Sequence, residues 1–384
     1  MADISFFKNI GFGKKFTLWS KGAKSITGID LGLSSVKIVQ LRREKERAVL
    51  ETYGELSTGP YSGLSVGQAT QLVDEKIVEM LKDLIKESGV TAKDVVLSIP
   101  LRSSFVTLIK VPFMSDAEIN QMVPYEARKY IPVPIDEVVL DWWAIPEGFV
   151  QTKESGPEPD GNEPEQPEME EKKRTVAILL VAIHKETITK YKEIMEKVGL
   201  SVRALEIEVF SIARSLLARE LAPILLVDFG ASSTKITVVD YGIVRSSHGI
   251  DRGSQDITMT ISRALGIDFT RAEEMKREIG LSLRPEHREV HGVIEPMLNH
   301  VFSNALRVMQ DYQRRHNRSV NRVILIGGGA KMYGLVDYAV KKFGIETTLG
   351  DPFRRIQYPA FLQPVLKEIG PSFAQAIGLA IREL

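Results

Sequence analysis

Two stretches of this 384-residue chain carry the same side chains at the same spacing. Gly28–Val39 reads GIDLGLSSVKIV and Leu226–Thr237 reads LVDFGASSTKIT. A shift of 228 − 30 = 198 residues superimposes Asp30 on Asp228, Gly32 on Gly230, Ser34 and Ser35 on Ser232 and Ser233, and Lys37 on Lys235. Surface loops have no physical reason to repeat in this way. Two duplicated halves holding one ligand do. A tight Gly/Ser turn offers a concave row of backbone N–H groups, which binds phosphate oxygens. Glycine lets the backbone approach the ligand without a Cβ in the way, and the serines add hydroxyl donors. Lys37, with Lys235 as its counterpart, is placed to reach a β- or γ-phosphate as a point charge. The carboxylates of Asp30 and Asp228 would repel bare phosphate. They suit a Mg2+ ion held through water, because Mg2+ keeps much of its hydration. The chemistry read here is binding of a phosphate-bearing ligand with Mg2+.

Two further pieces suit the remainder of a nucleotide. Ile324–Gly334 reads ILIGGGAKMYG, a buried strand delivering Gly327, Gly328, Gly329 and Met332 to lie under a flat adenine and ribose or against the α-phosphate. Ala272–Lys276 reads AEEMK and puts Glu273 and Lys276 three residues apart on one helix face. There they either bond ribose hydroxyls or form a solvated ion pair.

The elements needed to position these residues are legible in part. Ile26–Leu41 and Ile224–Val239 read as hairpins. Helices are expected over 70–88, with Val73, Ile77, Leu81 and Leu84 on one face, and over 185–198, 206–220, 254–265, 270–279, 296–316 and 372–384. Strands are expected over 95–99, 105–111, 175–183 and 322–326. Ser115–Glu118 (SDAE) is a capping box opening a helix to about Tyr130, with Pro124 inside it. Residues 151–174 are rich in proline and glutamate and read as a disordered acidic loop. Residues 1–25 mix aromatic side chains with lysines and read as a flexible basic arm.

The composition is that of an ordinary globular protein, with 43% hydrophobic and 26% charged residues. Fifty basic and fifty acidic residues leave no net charge to draw the chain to nucleic acid. There is no cysteine, which excludes disulfides, thiolate nucleophiles and cysteine metal sites. No apolar run reaches the roughly 18 residues of a membrane span, and Lys14 and Lys15 interrupt any signal-peptide core. A cytoplasmic protein is expected.

Taken together, GIDLGLSSVK, VDFGASSTK and ILIGGGAKMYG resemble the two phosphate motifs and the adenosine motif of the actin/Hsp70/sugar-kinase superfamily. Ile207–Arg214 (IEVFSIAR) and Ala376–Ala380 (AIGLA) resemble its two connecting helices. Within that superfamily, YEARKYIPVPIDEVVLDW (Tyr125–Trp142) resembles the PilM-type proteins of type IV pilus assembly, relatives of the cell-division protein FtsA. The resemblance implies an α/β fold: an actin-like (ribonuclease H-like) two-lobed architecture with duplicated mixed sheets. Residues 26–93 plus 185–222 would form the first subdomain, 94–184 an inserted α/β subdomain, 223–250 plus 322–384 the second, and 251–321 a fourth. It implies ATP with Mg2+ in the interdomain cleft. The partner it implies is the N-terminal cytoplasmic peptide of the inner-membrane protein PilN, with Arg128, Tyr130, Ile131 and Pro132 as the contact residues. Other inner-membrane and motor components of the pilus would follow, with weak self-association allowed. The chain stops at the second connecting helix, so membrane attachment is expected to be indirect, at the inner face of the cytoplasmic membrane. Glu208 and Asp228 are the residues available to orient a hydrolytic water, although Glu208 lies in a connecting helix where a structural ion pair is equally expected. At most a weak ATPase is implied. An FtsA-like filament protein and a small-molecule kinase of the same fold are the alternatives.

Overall fold

The computed structural model describes residues 25–145, 175–218 and 220–384. The basic arm and the acidic loop lie outside them. The first hairpin is β1 (Ser25–Leu31) and β2 (Ser35–Glu44), followed by β3 (Arg47–Ser57), α1 (Asp74–Ser88) and β4 (Asp94–Ile99). After an excursion, α3 (Lys185–Val198), β8 (Ser201–Ile207) and α4 (Glu208–Leu216) complete the first lobe. The strands run β3-β2-β1-β4-β8, with β1, β4 and β8 parallel and β2 and β3 antiparallel to their neighbours.

The second lobe repeats this pattern strand for strand. It contains β9 (Ile224–Phe229), β10 (Thr234–Asp240), β11 (Ile243–Ile250), β12 (Arg322–Ile326) and β13 (Glu346–Leu349). They run β11-β10-β9-β12-β13 with the same senses. Even the register is shared: Asp30 pairs with Lys37 in the first hairpin, and Asp228 with Lys235 in the second. The repeat in the sequence is therefore a duplicated half-sheet.

Helices fill both faces of each sheet. In the first lobe α1 and α3 cover Ile29, Ile38 and Leu97 with Met80, Leu84 and Ile194. The opposite face, with Ile26, Val39 and Val96, packs on Phe373, Ile377 and Leu379 of the C-terminal helix α9 (Gln363–Arg382). The second sheet buries Val227, Ile236 and Leu325 against Ile257, Leu298 and Leu335. These come from α5 (Ser254–Leu265), α7 (Arg288–His316) and α8 (Leu335–Phe343); α6 (Phe269–Glu278) packs beside α5. Gly89 and Gly199 end α1 and α3 in the left-handed conformation, which glycine adopts without a Cβ penalty.

The excursion between β4 and α3 is a separate small sheet, with β5 (Ser104–Pro112), β6 (Val138–Ile145) and β7 (Thr175–His184) in the order β5-β7-β6, all antiparallel. Helix α2 (Asp116–Ala127) opens with the expected capping box at Ser115 and Glu118 and buries Ile119 and Val123 against this sheet.

Several expectations are corrected. The insertion does not begin at 94, because β4 lies inside the first sheet. Helix α9 does not belong to the second lobe alone, because it packs on the first sheet. The helix expected over 206–220 is α4, only nine residues long, because Glu206 and Ile207 are still strand. Val73 is the exposed residue before α1 rather than part of its buried face. Helices α7 and α9 begin eight and nine residues earlier than expected, and contain Pro296 and Pro371. Among the described residues no helix is long and apolar enough to cross a membrane.

Candidate functional site

The duplicated turns face each other across a cleft of about 1020 Å3 between the lobes. Asp30, Gly32, Ser34, Ser35 and Lys37 line it from one side; Asp228, Gly230, Ser232, Ser233 and Lys235 from the other. Gly327, Gly328, Gly329, Met332, Glu273, Lys276 and Glu208 complete the wall. Every candidate nucleotide residue read from the sequence reaches this one cleft.

Its glycines are there for space. A Cβ on Gly32 would lie 2.6 Å from the Ser35 carbonyl oxygen, and one on Gly230 2.9 Å from that of Ser233. Gly327 has φ +86°, and a Cβ there would stand 2.6 Å from Asp228 Oδ1. By contrast, Gly328 is exposed and has nothing within 4 Å of a Cβ, so it leaves open room beside the cleft. The amide of Gly327 donates to Pro371 O at 2.8 Å, which ties the glycine loop to α9. The N-terminus of α5 is closed: its Ser254 and Gln255 amides donate to Gly230 O and Ala231 O, both at 2.9 Å.

The charged groups are paired across the cleft floor. Lys37 Nζ donates to Ser35 Oγ at 2.6 Å and lies 3.3 Å from Glu55, which also accepts from Ser35 at 2.7 Å. Lys235 Nζ sits between Glu208 Oε2 at 2.8 Å and Asp228 Oδ2 at 3.3 Å. Burial alone would lower the Lys235 pKa, but the charges of Glu208 and Asp228 outweigh it and push it well above its usual value. Asp30 is held by a neutral donor instead: Gln375 of α9 donates to its Oδ1 at 2.7 Å. Burial pushes the Asp30 carboxyl up to about 6, with Lys37 and Lys235 pulling down and Glu208 and Asp228 pulling up. A carboxyl raised in this way gains by accepting a cation. Among the described residues no group of three or more His, Cys, Asp or Glu is arranged to enclose a metal.

Glu273 and Lys276 are not a solvated pair. Lys276 is 4% exposed and bonds Glu273 at 2.6 Å, Thr258 at 2.9 Å and Ser254 O at 3.3 Å. Burial would raise the Glu273 carboxyl, but Lys276 and the hydrogen bonds from Thr258 and Arg277 bring it below its usual value. Both oxygens of Glu208 are engaged as well, by Leu101 N and Lys235 Nζ, each at 2.8 Å. Of its two sequence readings, the ion pair is the one this geometry favours.

Glu55, Gln375 and Lys331 also line the cleft and were not singled out in the sequence. Glu55 lies on β3, which carries no motif. The signal that could have found it is its cross-strand pairing with Lys37.

The residues expected to touch a partner lie away from the cleft, at the end of α2. Arg128, Tyr130 and Pro132 are exposed, and Arg128 stacks over the Tyr125 ring at 5.7 Å. Ile131 is corrected: it is 6% exposed and packs with Val123, Ala127 and Val138 in the core of the inserted sheet.

The whole arrangement is similar to known structures. It matches a PilM–PilN type IV pilus biogenesis complex with a TM-score of 0.75 at 24% identity, over 93% of this chain and 98% of the other. It matches MreB5 of Spiroplasma citri bound to AMPPNP with a TM-score of 0.52 at 12% identity, over 94% and 96% of the two chains. The cell division protein FtsA of Streptococcus pneumoniae is 24% identical over 367 residues, 87% of this chain and 77% of that protein. These likenesses establish an actin-like fold. Residues 28–155 and 165–384 match the family described as type IV pilus assembly protein PilM, and the chain belongs to that family.

Proposed function

We propose that this protein is an ATP-binding scaffold of type IV pilus assembly. It acts at the inner face of the cytoplasmic membrane, where it holds the N-terminal cytoplasmic peptide of a PilN-type membrane protein. The observation that carries the nucleotide reading is the meeting of Asp30 and Asp228, from two duplicated hairpins, at one glycine-walled cleft. Mg-ATP, when bound, supplies a triphosphate and a hydrated cation whose charges suit these groups. The chain's own contribution is to orient. The turn amides and serine hydroxyls of both hairpins hold phosphate, Lys37 and Lys235 neutralise it, and the Gly327–Gly329 loop leaves room for the flat base. Glu208 is committed to two bonds, so little is left to orient a hydrolytic water. Nucleotide then acts as a conformational ligand that favours one lobe arrangement. The membrane partner docks on the surface that carries Arg128, Tyr130 and Pro132, assigned by its exposure and by the resemblance of that stretch to the family.

Calorimetry tests the nucleotide reading. Asp30→Ala is expected to weaken Mg-ATP binding at least tenfold, the effect of roughly 1.4 kcal/mol. Unchanged affinity contradicts the placement of the cation. FtsA relatives support a second reading as a filament protein. Pelleting with lipid vesicles in the absence of PilN separates the two, since strong binding on its own favours the FtsA type.

A further inference from the structure

The two oxygens of one buried carboxylate join three separate parts of the molecule. Glu208 Oε1 accepts from the backbone N–H of Leu101, and Oε2 accepts from the Lys235 ammonium, each at 2.8 Å. Lys235 stands on the phosphate hairpin of the second lobe, and it also reaches Asp228 Oδ2 at 3.3 Å. Glu208 is the first residue of α4, and its side chain is 6% exposed. Leu101 opens the single turn, Leu101–Ser103, by which the chain leaves the first sheet for the inserted subdomain. Leu101, Arg102, Ser103 and Ser104 all line the cleft. Beyond that turn β5 runs past the edge of β11, so the insertion also touches the second lobe.

We infer that Glu208 is a positioning residue that transmits occupancy of the second phosphate hairpin to the root of the inserted subdomain. An anion arriving at Gly230–Ser233 competes for the Lys235 ammonium, which has only three protons to donate. A buried carboxylate that loses its cation cannot remain as it was, because an uncompensated charge is costly inside a protein. It turns toward the water of the cleft and releases the Leu101 amide. The turn at 101–103 then loosens, and with it the seat of β5 and of the sheet on which α2 packs, with Arg128 and Tyr130 at and just beyond its end. The trigger in this scheme rests on the nucleotide reading above. The wiring does not, since any loss of the Lys235 charge should have the same effect.

That separation sets the experiment. Amide hydrogen exchange is followed in the full chain without nucleotide, comparing wild type with Lys235→Met. Exchange at Leu101–Ser104 is expected to rise about tenfold relative to amides in β2, the loss when a well-held charge-assisted bond is loosened. A uniform rise over all amides, or none at 101–104, would mean that the pair is merely structural and overturns the inference. Should Lys235→Met not fold, Glu208→Gln replaces one of the two accepting oxygens by an NH2 that can accept from neither Leu101 nor Lys235, and removes the charge; the same selective rise, of severalfold, is expected. A second readout uses a Trp19→Phe background, in which Trp142 and Trp143 of β6 are the remaining tryptophans. Saturating Mg-ATP is expected to change their emission with Glu208 present and not in Glu208→Gln. An equal change in both overturns the relay. Absence of any ATP binding overturns the nucleotide reading, and the exchange measurement then decides the wiring by itself.

Discussion

Between about pH 4 and 6 Asp30 keeps a proton that a solvated carboxyl would have released. Its carboxyl sits at about 6, against an ordinary 3.8, chiefly because burial penalises its charge. Between those two values the folded protein binds a proton that the unfolded chain has released. Stability from this group is therefore present below about pH 4 and lost as pH rises through 6. An asparagine side chain at this position would carry no charge at any pH and would still accept the bond from Gln375. Asp30→Asn is thus expected to raise the melting temperature of the ligand-free protein at pH 7.5, by an amount worth about 1–3 kcal/mol. The gain should fade as pH drops through 6 and vanish near 4. Thermal scans across that range check the prediction, and a gain independent of pH would show that desolvation of Asp30 is not its source. The same variant should bind Mg-ATP less well, the usual trade between a strained site and stability. At this scale the sequence was informative. Every residue it nominated for nucleotide lines the cleft, because duplication and glycine spacing are written into the chain itself. Ile131 was misjudged for the converse reason. Its neighbours Tyr130 and Pro132 are exposed, and no local pattern distinguishes the one side chain that turns inward.

The elements that hold the lobes together are α4 and α9, and their approach depends on missing Cβ atoms. A Cβ on Gly378 of α9 would lie 1.8 Å from Ser211 O in α4; one on Gly28 would lie 2.0 Å from Ala376 O. Neither glycine has a positive φ, so space rather than backbone conformation requires them. The contact is sealed by Glu206, fully buried on β8. It is paired with Arg214 at 2.6 Å and with Arg382 at 3.3 Å, while Arg214 also donates to Gly378 O at 3.0 Å. Gly378→Ala must push backbone from backbone, and a loss of about 1–3 kcal/mol or more is expected in denaturant unfolding. An unchanged midpoint would mean that α9 can lift off without cost. The strands missed in the sequence belong to this scale too. β3 has a register shift opposite Gln40 and Leu41, which breaks its alternation. β11 carries serines, a histidine and a glycine, and β13 has four residues. These three, and β8, which was missed as well, lie at sheet edges, defined by the neighbour they pair with rather than by their own pattern. The late starts assigned to α7 and α9 have one cause. Pro296 and Pro371 look like first-turn prolines, and only the packing of the preceding turns shows that each helix has already begun.

At the scale of the whole molecule the cleft is closed at two ends by different means. Its base is the tight crossing of α4 and α9. Its mouth is a thin contact, in which residues 65–70 of the first lobe lean on α5 and α6 of the second. There Gln255 Oε1 accepts from the Ala69 amide, Ser65 and Thr270 meet at 3.4 Å, and Gly67 lies against Glu273 and Arg277. These contacts are mostly polar, and on the proposed reading the mouth is the end expected to open, with the crossing of α4 and α9 as the hinge. The charges of the cleft point the same way. Lys37, Lys235 and Lys276 are each already bonded to a carboxylate or a hydroxyl. The site is close to neutral before anything enters, in keeping with the zero net charge of the chain, and long-range steering adds little to the rate of capture. On the proposed nucleotide reading, closure of the mouth would hold the ligand. Gln255→Ala removes a side chain that grips the 65–70 segment by its backbone, without touching the phosphate turns. Its expected effect is a nucleotide dissociation rate raised about three- to tenfold, or roughly 0.7–1.4 kcal/mol, with association nearly unchanged. Stopped-flow release of a fluorescent ATP analogue measures both rates. If dissociation is as slow as in the wild type, the mouth does not gate release, and the control must lie instead at the crossing of α4 and α9.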